Sequence, residues 1–538
     1  MRTVLRLLVG AFLVPSVPLA AQDHQHGPGE QLGRVVFPVS CSAVAQQRFE
    51  RAMAVLHSFW WEEGGRAFGS VIEADSTCAM AYWGLALNSW GNPFAGGPAG
   101  SGLEAGAQAA ARAAALGAPT SRERGFLAGV AALYGDHATV ANAARLRAYS
   151  DTMARVYRDH PNDPEVATYY ALSLVATASS TDTTFARQRE AAAILNPLFQ
   201  RFPEHPGLAH YIIHSNDSPR LARLGLEAAR RYARIAPSAP HAQHMPSHIF
   251  IRLGLWEDNI AANQRSFDAG VAHARAQRWT GVAGHEFHAL DYMVYGHLQL
   301  GQDAAARRIV ARAESLQAVE GRANLLAGYN GGALAARVAL ERGNWRAAAA
   351  LPVPEGSSPA ALGAVTHFAR GIGAARAGET AQARAEAAAL AAIEARLKGA
   401  PGYDWSRIAG IKRRIVESWI ALAAGDTATA LREAKAAADL EDVTEKHPVT
   451  PGELLPAREL EADMLLATGH HADARRAYRT ALEREPGRAR SLFGAARAAE
   501  FLGDRAAARE GYREFLKLME KGDGDRVELG VARGATAK

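Results

Sequence analysis

Residues 457–486 read ARELEADMLLATGHHADARRAYRTALEREP, and this stretch decides the fold class of the chain. Gly469 supplies the left-handed backbone conformation in which many helices end. Small residues flank this glycine at fixed distances, because Ala462 lies seven residues before it and Ala474 lies five residues after it. Small side chains on both sides of a turn allow two antiparallel helices to approach closely. The stretch therefore predicts a helical hairpin.

The same pattern recurs throughout the second half of the chain. The turn glycines are 34 to 47 residues apart, and six of the seven are followed five residues later by an alanine. The seven are Gly254, Gly301, Gly343, Gly378, Gly425, Gly469 and Gly503. A fixed period of this length predicts a repeat architecture in which each helix pair buries its apolar face against its neighbours.

The second helix of the quoted stretch carries Ala474, Tyr478 and Pro486, and on these residues the chain resembles the tetratricopeptide repeat family. Near the start of the chain, the places of the family's tryptophan, leucine and glycine are taken by Tyr82, Leu85 and Ala86. The resemblance implies an all-α, right-handed superhelical solenoid of about 11 or 12 helix pairs. It also implies that the first helix of each pair lines a concave groove, where an exported bacterial-type scaffold binds a protein or peptide partner.

The first residues predict export from the cytoplasm. Arg2 and Arg6 precede a short apolar stretch that ends in small residues, which is typical of a secretory signal peptide. No later apolar run reaches the length of about 20 residues that a membrane-spanning helix needs. We therefore expect a periplasmic or secreted protein that does not span a membrane. The expected organisation is a signal peptide (1–21), a flexible segment (22–40), N-terminal repeats (41–350) with a histidine-rich groove (205–300), C-terminal repeats (360–520) and a disordered tail (521–538).

Composition excludes some functions and suggests one covalent link. The 538 residues are 48% hydrophobic and 21% charged, enough to bury a large core. The net charge of +5 comes without a dense basic tract, which argues against nucleic-acid binding. Cys41 and Cys78 are the only cysteines, and in an exported chain an even pair predicts a disulfide; two buried thiols are the alternative.

Histidines are concentrated in three consecutive repeats. Ten of the nineteen lie between His205 and His297. Residues four apart share one helix face, and the positions ten and six residues before successive turns carry one such pair each. In chain order, these pairs are His210 and His214, His244 and His248, and Asp291 and Tyr295. Because stacked helices lie about 10 Å apart, imidazoles from neighbouring helices can meet in the groove.

Imidazole nitrogen and carboxylate oxygen together suit a transition metal such as zinc or copper, and a solvent-facing groove would leave an open coordination position. The candidate metal ligands are His210, His214, His244, His248, Asp291, His288 and His241. Further candidate groove residues are Tyr295, Asp217, Arg252, Glu459 and Asp463, of which Asp217 is expected to orient an imidazole. The alternatives are a groove for an anionic or peptide ligand, and purely structural histidines.

No catalytic motif accompanies these residues. The His210–His214 pair lacks the glutamate that zinc proteases use as a base, and no phosphate loop or nucleophile elbow is present. The sequence therefore favours a non-enzymatic scaffold that binds a protein or peptide partner, with a metal-binding or metal-dependent protein as the alternative.

Overall fold

The computed structural model describes residues 30–318, 325–353, 361–400 and 402–537. In these ranges the chain is all-α; its one β feature is an isolated bridge between Val282 and Ala318. None of the described helices is both long enough and apolar enough to cross a bilayer. The predicted signal peptide and residues 22–29 lie outside the described residues.

Most of the described helices follow one another with short connections. The N-terminal part contains α1 (Ala43–His57), α2 (Trp61–Ala74), α3 (Ala79–Trp90), α4 (Gly100–Leu116), α5 (Ser121–Tyr134), α6 (Asn142–Asp159), α7 (Pro164–Ala176), α8 (Ala186–Arg201), α9 (Pro206–Asn216), a 3-10 turn (Ala222–Gly225), α10 (Leu226–Ile235), α11 (Pro240–His244), α12 (Pro246–Arg252), α13 (Trp256–Ala276), α14 (His285–Gln299) and α15 (Asp303–Glu314). The C-terminal part contains α16 (Leu325–Glu341), α17 (Trp345–Ala349), α18 (Ala361–Ala377), α19 (Thr380–Leu397), α20 (Trp405–Ala423), α21 (Thr427–Asp442), α22 (Ala457–Ala467), α23 (His471–Arg484), α24 (Ala489–Phe501), α25 (Arg505–Leu518) and α26 (Val527–Ala537).

Neighbouring helices pack in pairs, and the pairs stack. From α1–α2 to α24–α25 the described helices form twelve pairs, because α11 and α12 together make one member of a pair. The first members also touch one another along the stack, for example α14 with α16 and α16 with α18. This arrangement confirms the predicted all-α superhelical repeat.

Glycines end the helices where the sequence predicted turns. All seven turn glycines have positive φ, between 64° and 84°. At Gly254 the lack of a side chain also permits close packing, because a Cβ atom there would lie 2.5 Å from the carbonyl oxygen of Pro486. The seven glycines therefore mark the turns, and Gly254 also permits a contact between distant repeats.

A disulfide joins the first two repeats. Cys41 and Cys78 are bonded, with their Cα atoms 5.2 Å apart. The bond connects the residues just before α1 to the residue that precedes α3. The predicted disulfide is confirmed.

The segment before α1 is ordered, which corrects the prediction of a flexible stretch over residues 30–40. Leu32, Val35 and Phe37 are almost fully buried, and the ring of Phe37 lies edge-on to that of Phe49 with centroids 5.2 Å apart. Apolar side chains in an extended segment fill the space beside α1. Their burial fixes the segment against the first repeats.

The predicted disordered tail is also wrong for most of its length. Residues 527–537 form α26, whose Leu529 and Ala532 are buried against α25. Just before this helix, Arg526 makes an ion pair with Asp303 at the start of α15. A cap helix that covers the last apolar face explains why the tail folds.

The groove beside the histidines is filled by the chain itself, which corrects the prediction of a solvent-facing groove. Residues 443–456, which we name the crossing segment, connect α21 to α22 and pass over α14 and α16. The Tyr292 hydroxyl lies 3.3 Å from the carbonyl oxygen of Pro448. Asn330 Nδ2 donates to the carbonyl oxygen of Val449 over 2.9 Å. These contacts bury the inner face of the histidine-bearing repeats.

Candidate metal centre

Six of the predicted ligands converge into two adjacent groups of three. The first trio is His210, His214 and His241, and the second trio is His244, His248 and His288. Within each trio, one ligand atom from each residue lies within 4.8 Å of the others. The four-residue spacing on α9, and across the junction of α11 and α12, brings the paired imidazoles to one face. The rings of His214 and His248, from different trios, are 6.2 Å apart.

Hydrogen bonds determine which nitrogen carries the proton in the second trio. His244 Nδ1 lies 2.6 Å from Asn263 Oδ1, and the amide nitrogen of Asn263 donates to the carbonyl oxygen of Asn259. His248 Nδ1 lies 2.8 Å from Asp217 Oδ2. Because both partners of the imidazoles are acceptors, each Nδ1 donates. In a neutral ring each Nε2 then carries a lone pair.

These two lone pairs face each other across a short distance. His244 Nε2 and His248 Nε2 are 3.0 Å apart. A shared proton does not explain the contact well, because burial lowers the pKa of both rings and keeps them neutral. Two imidazole nitrogens that bind one tetrahedral zinc ion lie about 3.3 Å apart. The pair therefore has the geometry of two ligands of one cation.

The first trio has a similar arrangement. His210 Nδ1 donates to the main-chain oxygen of His57 over 2.6 Å, so a neutral His210 has its lone pair on Nε2. That atom lies 3.1 Å from His214 Nε2. His241 Nε2 is buried and has no hydrogen-bond partner among the described residues. Burial lowers the pKa of His210 to about 3 and lowers that of His214 and His241 as well.

His288 completes the second trio from α14. Its ring lies 4.4 Å from that of His244, measured between centroids. Its Nδ1 lies 3.3 Å from Asn330 Nδ2, and the same amide group holds the crossing segment at Val449. The third position of this trio is thus tied to the segment that covers it.

A third cluster, formed by His57, Glu165 and His205, differs from the two trios. His57 Nε2 and His205 Nε2 lie 3.0 and 2.8 Å from the two oxygens of Glu165. His205 Nδ1 accepts from the amide of Leu208, and His57 Nδ1 bonds the hydroxyl of Tyr211. Each ring nitrogen in this cluster therefore takes part in an ordinary hydrogen bond. The cluster supports the first trio through the His57 carbonyl.

Asp291 and Tyr295 do not join the centre. Asp291 is fully buried and makes an ion pair with Arg337 of α16. The Tyr295 hydroxyl donates to Glu485 over 2.8 Å and accepts from Arg488. Both residues lie on the predicted face of α14, but cations and carboxylates from later parts of the chain occupy their polar atoms. Asp291 is therefore not available as a ligand in this arrangement.

Asp217 takes the position expected of a residue that orients an imidazole. One of its oxygens binds His248, and the other accepts from Arg252 Nε over 2.9 Å. Although burial acts the other way, Lys446 and Arg252 hold the pKa of Asp217 well below its usual value. The carboxylate is thus ionised and fixes the His248 ring.

Glu459 and Asp463 lie away from the histidines. Glu459 pairs with Arg488, and Asp463 pairs with Arg490 and accepts from the hydroxyl of Tyr478. Their role in the described structure is to hold α22 against α23 and α24.

Phe59 is a site residue that sequence reasoning missed. Its ring centroid lies 4.4 Å from that of His210 and 5.6 Å from that of His241. It has a left-handed backbone with φ of 50°, which is unusual for a bulky residue and is concentrated at functional sites. No spacing rule relates Phe59 to histidines that follow 151 and 182 residues later, so only the folded chain reveals the contact.

Both trios border one cavity, which we name the histidine chamber. Its volume is about 250 Å³. Both apolar side chains and imidazoles line it, including Phe59, Trp61, Phe94, His214, His241, Met245, His248, His288 and Val449. A metal ion held by either trio would therefore lie beside a cavity with room for a further ligand.

The chain is only distantly similar to solved structures. No protein-family model and no curated protein matches it. The human IFIT1 dimer with PPP-AAAA is 12% identical, with 78% of this chain and 87% of that chain covered and a TM-score of 0.37. Yeast Tom70 is 10% identical, with 92% of this chain and 89% of that chain covered and a TM-score of 0.29. Similarities at this level do not bear on function, and membership of the tetratricopeptide repeat family stays a resemblance.

Proposed function

We propose that this protein binds a pair of transition-metal ions, one in each histidine trio. The observation that carries the proposal is the contact between His244 Nε2 and His248 Nε2, which are 3.0 Å apart with both lone pairs directed at each other. A cation between them turns this repulsion into two ligand bonds. The unpartnered His241 Nε2 supports the same interpretation for the first trio.

The ligand chemistry favours copper or zinc. All six ligands are imidazoles, and no cysteine or carboxylate belongs to either trio. Imidazole suits both metals, whereas magnesium, calcium and manganese prefer oxygen. Acceptors behind the rings, such as Asp217 and Asn263, hold each Nε2 toward the metal position.

Metal analysis of purified, untagged protein tests the proposal. We expect two copper or zinc ions per chain by elemental mass spectrometry after dialysis. His214→Ala and His248→Ala should each lose one ion, because each removes a ligand from a different trio. The double variant should retain none. Elemental analysis also identifies the metal.

A matched control removes two histidines outside the centre, His160 and His470. The His160→Ala, His470→Ala variant should keep both ions, since neither residue belongs to a trio. Circular dichroism shows whether each variant is folded. Metal content that is absent from the wild type, or equal in the wild type and the double variant, would contradict the proposal.

Partner binding is the second proposed function, because a helical-repeat scaffold presents long, ordered surfaces. The crossing segment occupies the groove beside the histidines, so a peptide partner bound there would have to displace residues 443–456. Pull-down from periplasmic extract with the whole chain tests this function. Capture of a partner that Tyr292→Ala strengthens, by loosening the segment, would support it; no specific partner would count against it.

Export remains part of the proposal. The Cys41–Cys78 disulfide supports it, because such bonds persist in oxidising compartments. Fractionation of cells that express the full chain gives the test, with the protein expected outside the cytoplasm and shortened at its N-terminus.

A further inference from the structure

A second, more polar cavity adjoins the histidine chamber. We name it the lysine cavity, after Lys446 on its wall. Its volume is about 450 Å³, a size typical of small-molecule sites. Phe94, His214, His447 and Pro448 line both cavities. A molecule in the lysine cavity would therefore lie beside the first histidine trio.

Three buried polar atoms on the wall of this cavity lack hydrogen-bond partners among the described residues. They are Lys446 Nζ, Ser218 Oγ and Gln188 Oε1. The Lys446 side chain is only 6% exposed, and its ammonium lies 3.8 Å from Asp217, beyond hydrogen-bond distance. Each unsatisfied buried group costs about 1–3 kcal/mol, and a charged group costs more. Three such groups among the residues that line one cavity point to a ligand with complementary polar groups.

The charges around the cavity favour an anion. The carboxylates of Asp217 and Glu445 are both paired with Arg252, and that of Asp404 caps the first turn of α20. These acids therefore have partners in Arg252 and at the start of α20, and Lys446 adds only a long ion pair to Asp217. Lys446 pairs with Asp217 only at 3.8 Å and makes no hydrogen bond among the described residues, and burial lowers its pKa to about 8. An anionic group beside it would restore the stability of the charged form.

Part of the wall is apolar. Phe94, Leu146, Val175 and Phe185 all line the cavity. A ligand that fits this wall carries a hydrocarbon portion as well as a charged end. The polar groups of such a ligand would differ in kind: one would accept hydrogen bonds from Lys446 and Ser218, and another would donate to Gln188.

We propose that the lysine cavity binds a small organic anion that carries a carboxylate, a neighbouring hydroxyl or amino group, and an apolar side chain. Lys446 and Ser218 donate to the carboxylate, and Gln188 Oε1 accepts from the hydroxyl or amino group. The lysine cavity is formed by the protein alone, so this inference stands whether or not the trios hold metal.

Calorimetric titration of chelator-treated, full-length protein with 3-phenyllactate tests the inference. We expect binding of 3-phenyllactate, weaker binding of 3-phenylpropionate, which lacks the hydroxyl, and no binding of 3-phenyl-1,2-propanediol, which lacks the carboxylate. Lys446→Met should weaken phenyllactate binding at least about tenfold, because a charge-assisted hydrogen bond is lost. The matched control Lys435→Met removes an exposed lysine and should change nothing.

A second variant separates a binding role from a folding defect. Gln188→Leu should bring the affinity for phenyllactate down to that for phenylpropionate, while phenylpropionate affinity stays constant. A metal-loaded sample of the same protein should bind the probe as well. Absence of phenyllactate binding to the wild type, or equal affinity in the wild type and Lys446→Met, would overturn the inference.

Discussion

Asp217 shows how one carboxylate defines the state of an imidazole. It accepts the Nδ1 proton of His248 and is itself held by Arg252. The consequence is that the His248 lone pair is fixed on Nε2, the atom that faces His244. A residue outside the trio thereby determines whether the trio can bind a cation.

Asp217→Asn should weaken metal binding without unfolding the chain. The amide keeps the size of the side chain but loses the charge that makes His248 a strong ligand. We expect affinity to fall by about tenfold to a hundredfold. Competition with a chelating dye measures it. The control Asp268→Asn removes an exposed acid on α13 and should leave affinity unchanged, and equal affinities for all three proteins would refute this role.

His447 predicts a pH dependence of stability. Burial, reinforced by the nearby Lys446, lowers the pKa of His447 to about 3, against about 6.5 in the unfolded chain. The unfolded state therefore binds an extra proton below about pH 6.5, and stability falls as the pH drops toward 3. Above about pH 6.5, protonation of His447 does not change the free energy of unfolding.

Urea unfolding of metal-free protein at about pH 7.5 and about pH 5 checks the sign. His447→Gln should lose about 2 kcal/mol less free energy of unfolding between these two pH values than the wild type. Equal losses would show that His447 does not carry the dependence.

At the scale of helices, the sequence predicted the features that recur from one repeat to the next, namely the turns and the helix faces. All seven turn glycines adopt the left-handed conformation. The four-residue spacing correctly placed the paired histidines on one face of α9 and on one face of the segment formed by α11 and α12. Contacts between distant segments could not be predicted this way. Helix register placed Asp291 correctly on the inner face, but nothing local indicated that Arg337 would neutralise it.

The crossing segment illustrates the same limit. Tyr292 and Pro448 are 156 residues apart in sequence, and their contact closes the groove. A repeat pattern describes each helix pair and its contacts with the neighbouring pairs. Whether the groove is covered depends instead on contacts between parts of the chain that are far apart in sequence. The predicted open groove failed for this reason.

Arg337 links α14 and α16 to the crossing segment. It pairs with Asp291 and donates to the carbonyl oxygen of Gly452 and the hydroxyl of Thr450. Arg337→Met leaves a buried carboxylate unpaired and should lower the free energy of unfolding by about 3–5 kcal/mol. Urea denaturation measures the loss.

The double variant Arg337→Met, Asp291→Leu provides the matched control. It removes both charges, so most of the lost stability should return. A double variant as unstable as Arg337→Met would show that the arginine acts through the crossing segment alone.

For the whole molecule, the later repeats return to the earlier ones. Trp256 Nε1 donates to the carbonyl oxygen of Gly487 over 3.0 Å, and Arg526 pairs with Asp303. These contacts and the crossing segment bring later parts of the chain against the histidine-bearing repeats. Imidazoles kept neutral by burial, beneath a segment of the chain that covers them, are suited to hold metal rather than to line an open peptide groove.

Anomalous diffraction from crystals of the full-length protein, grown with copper or zinc, tests this central claim most directly. Difference maps collected above and below the absorption edge of the metal should show two peaks per chain. One should lie between His244 Nε2 and His248 Nε2, and the other beside His210, His214 and His241. Maps without a peak at either trio would contradict the account.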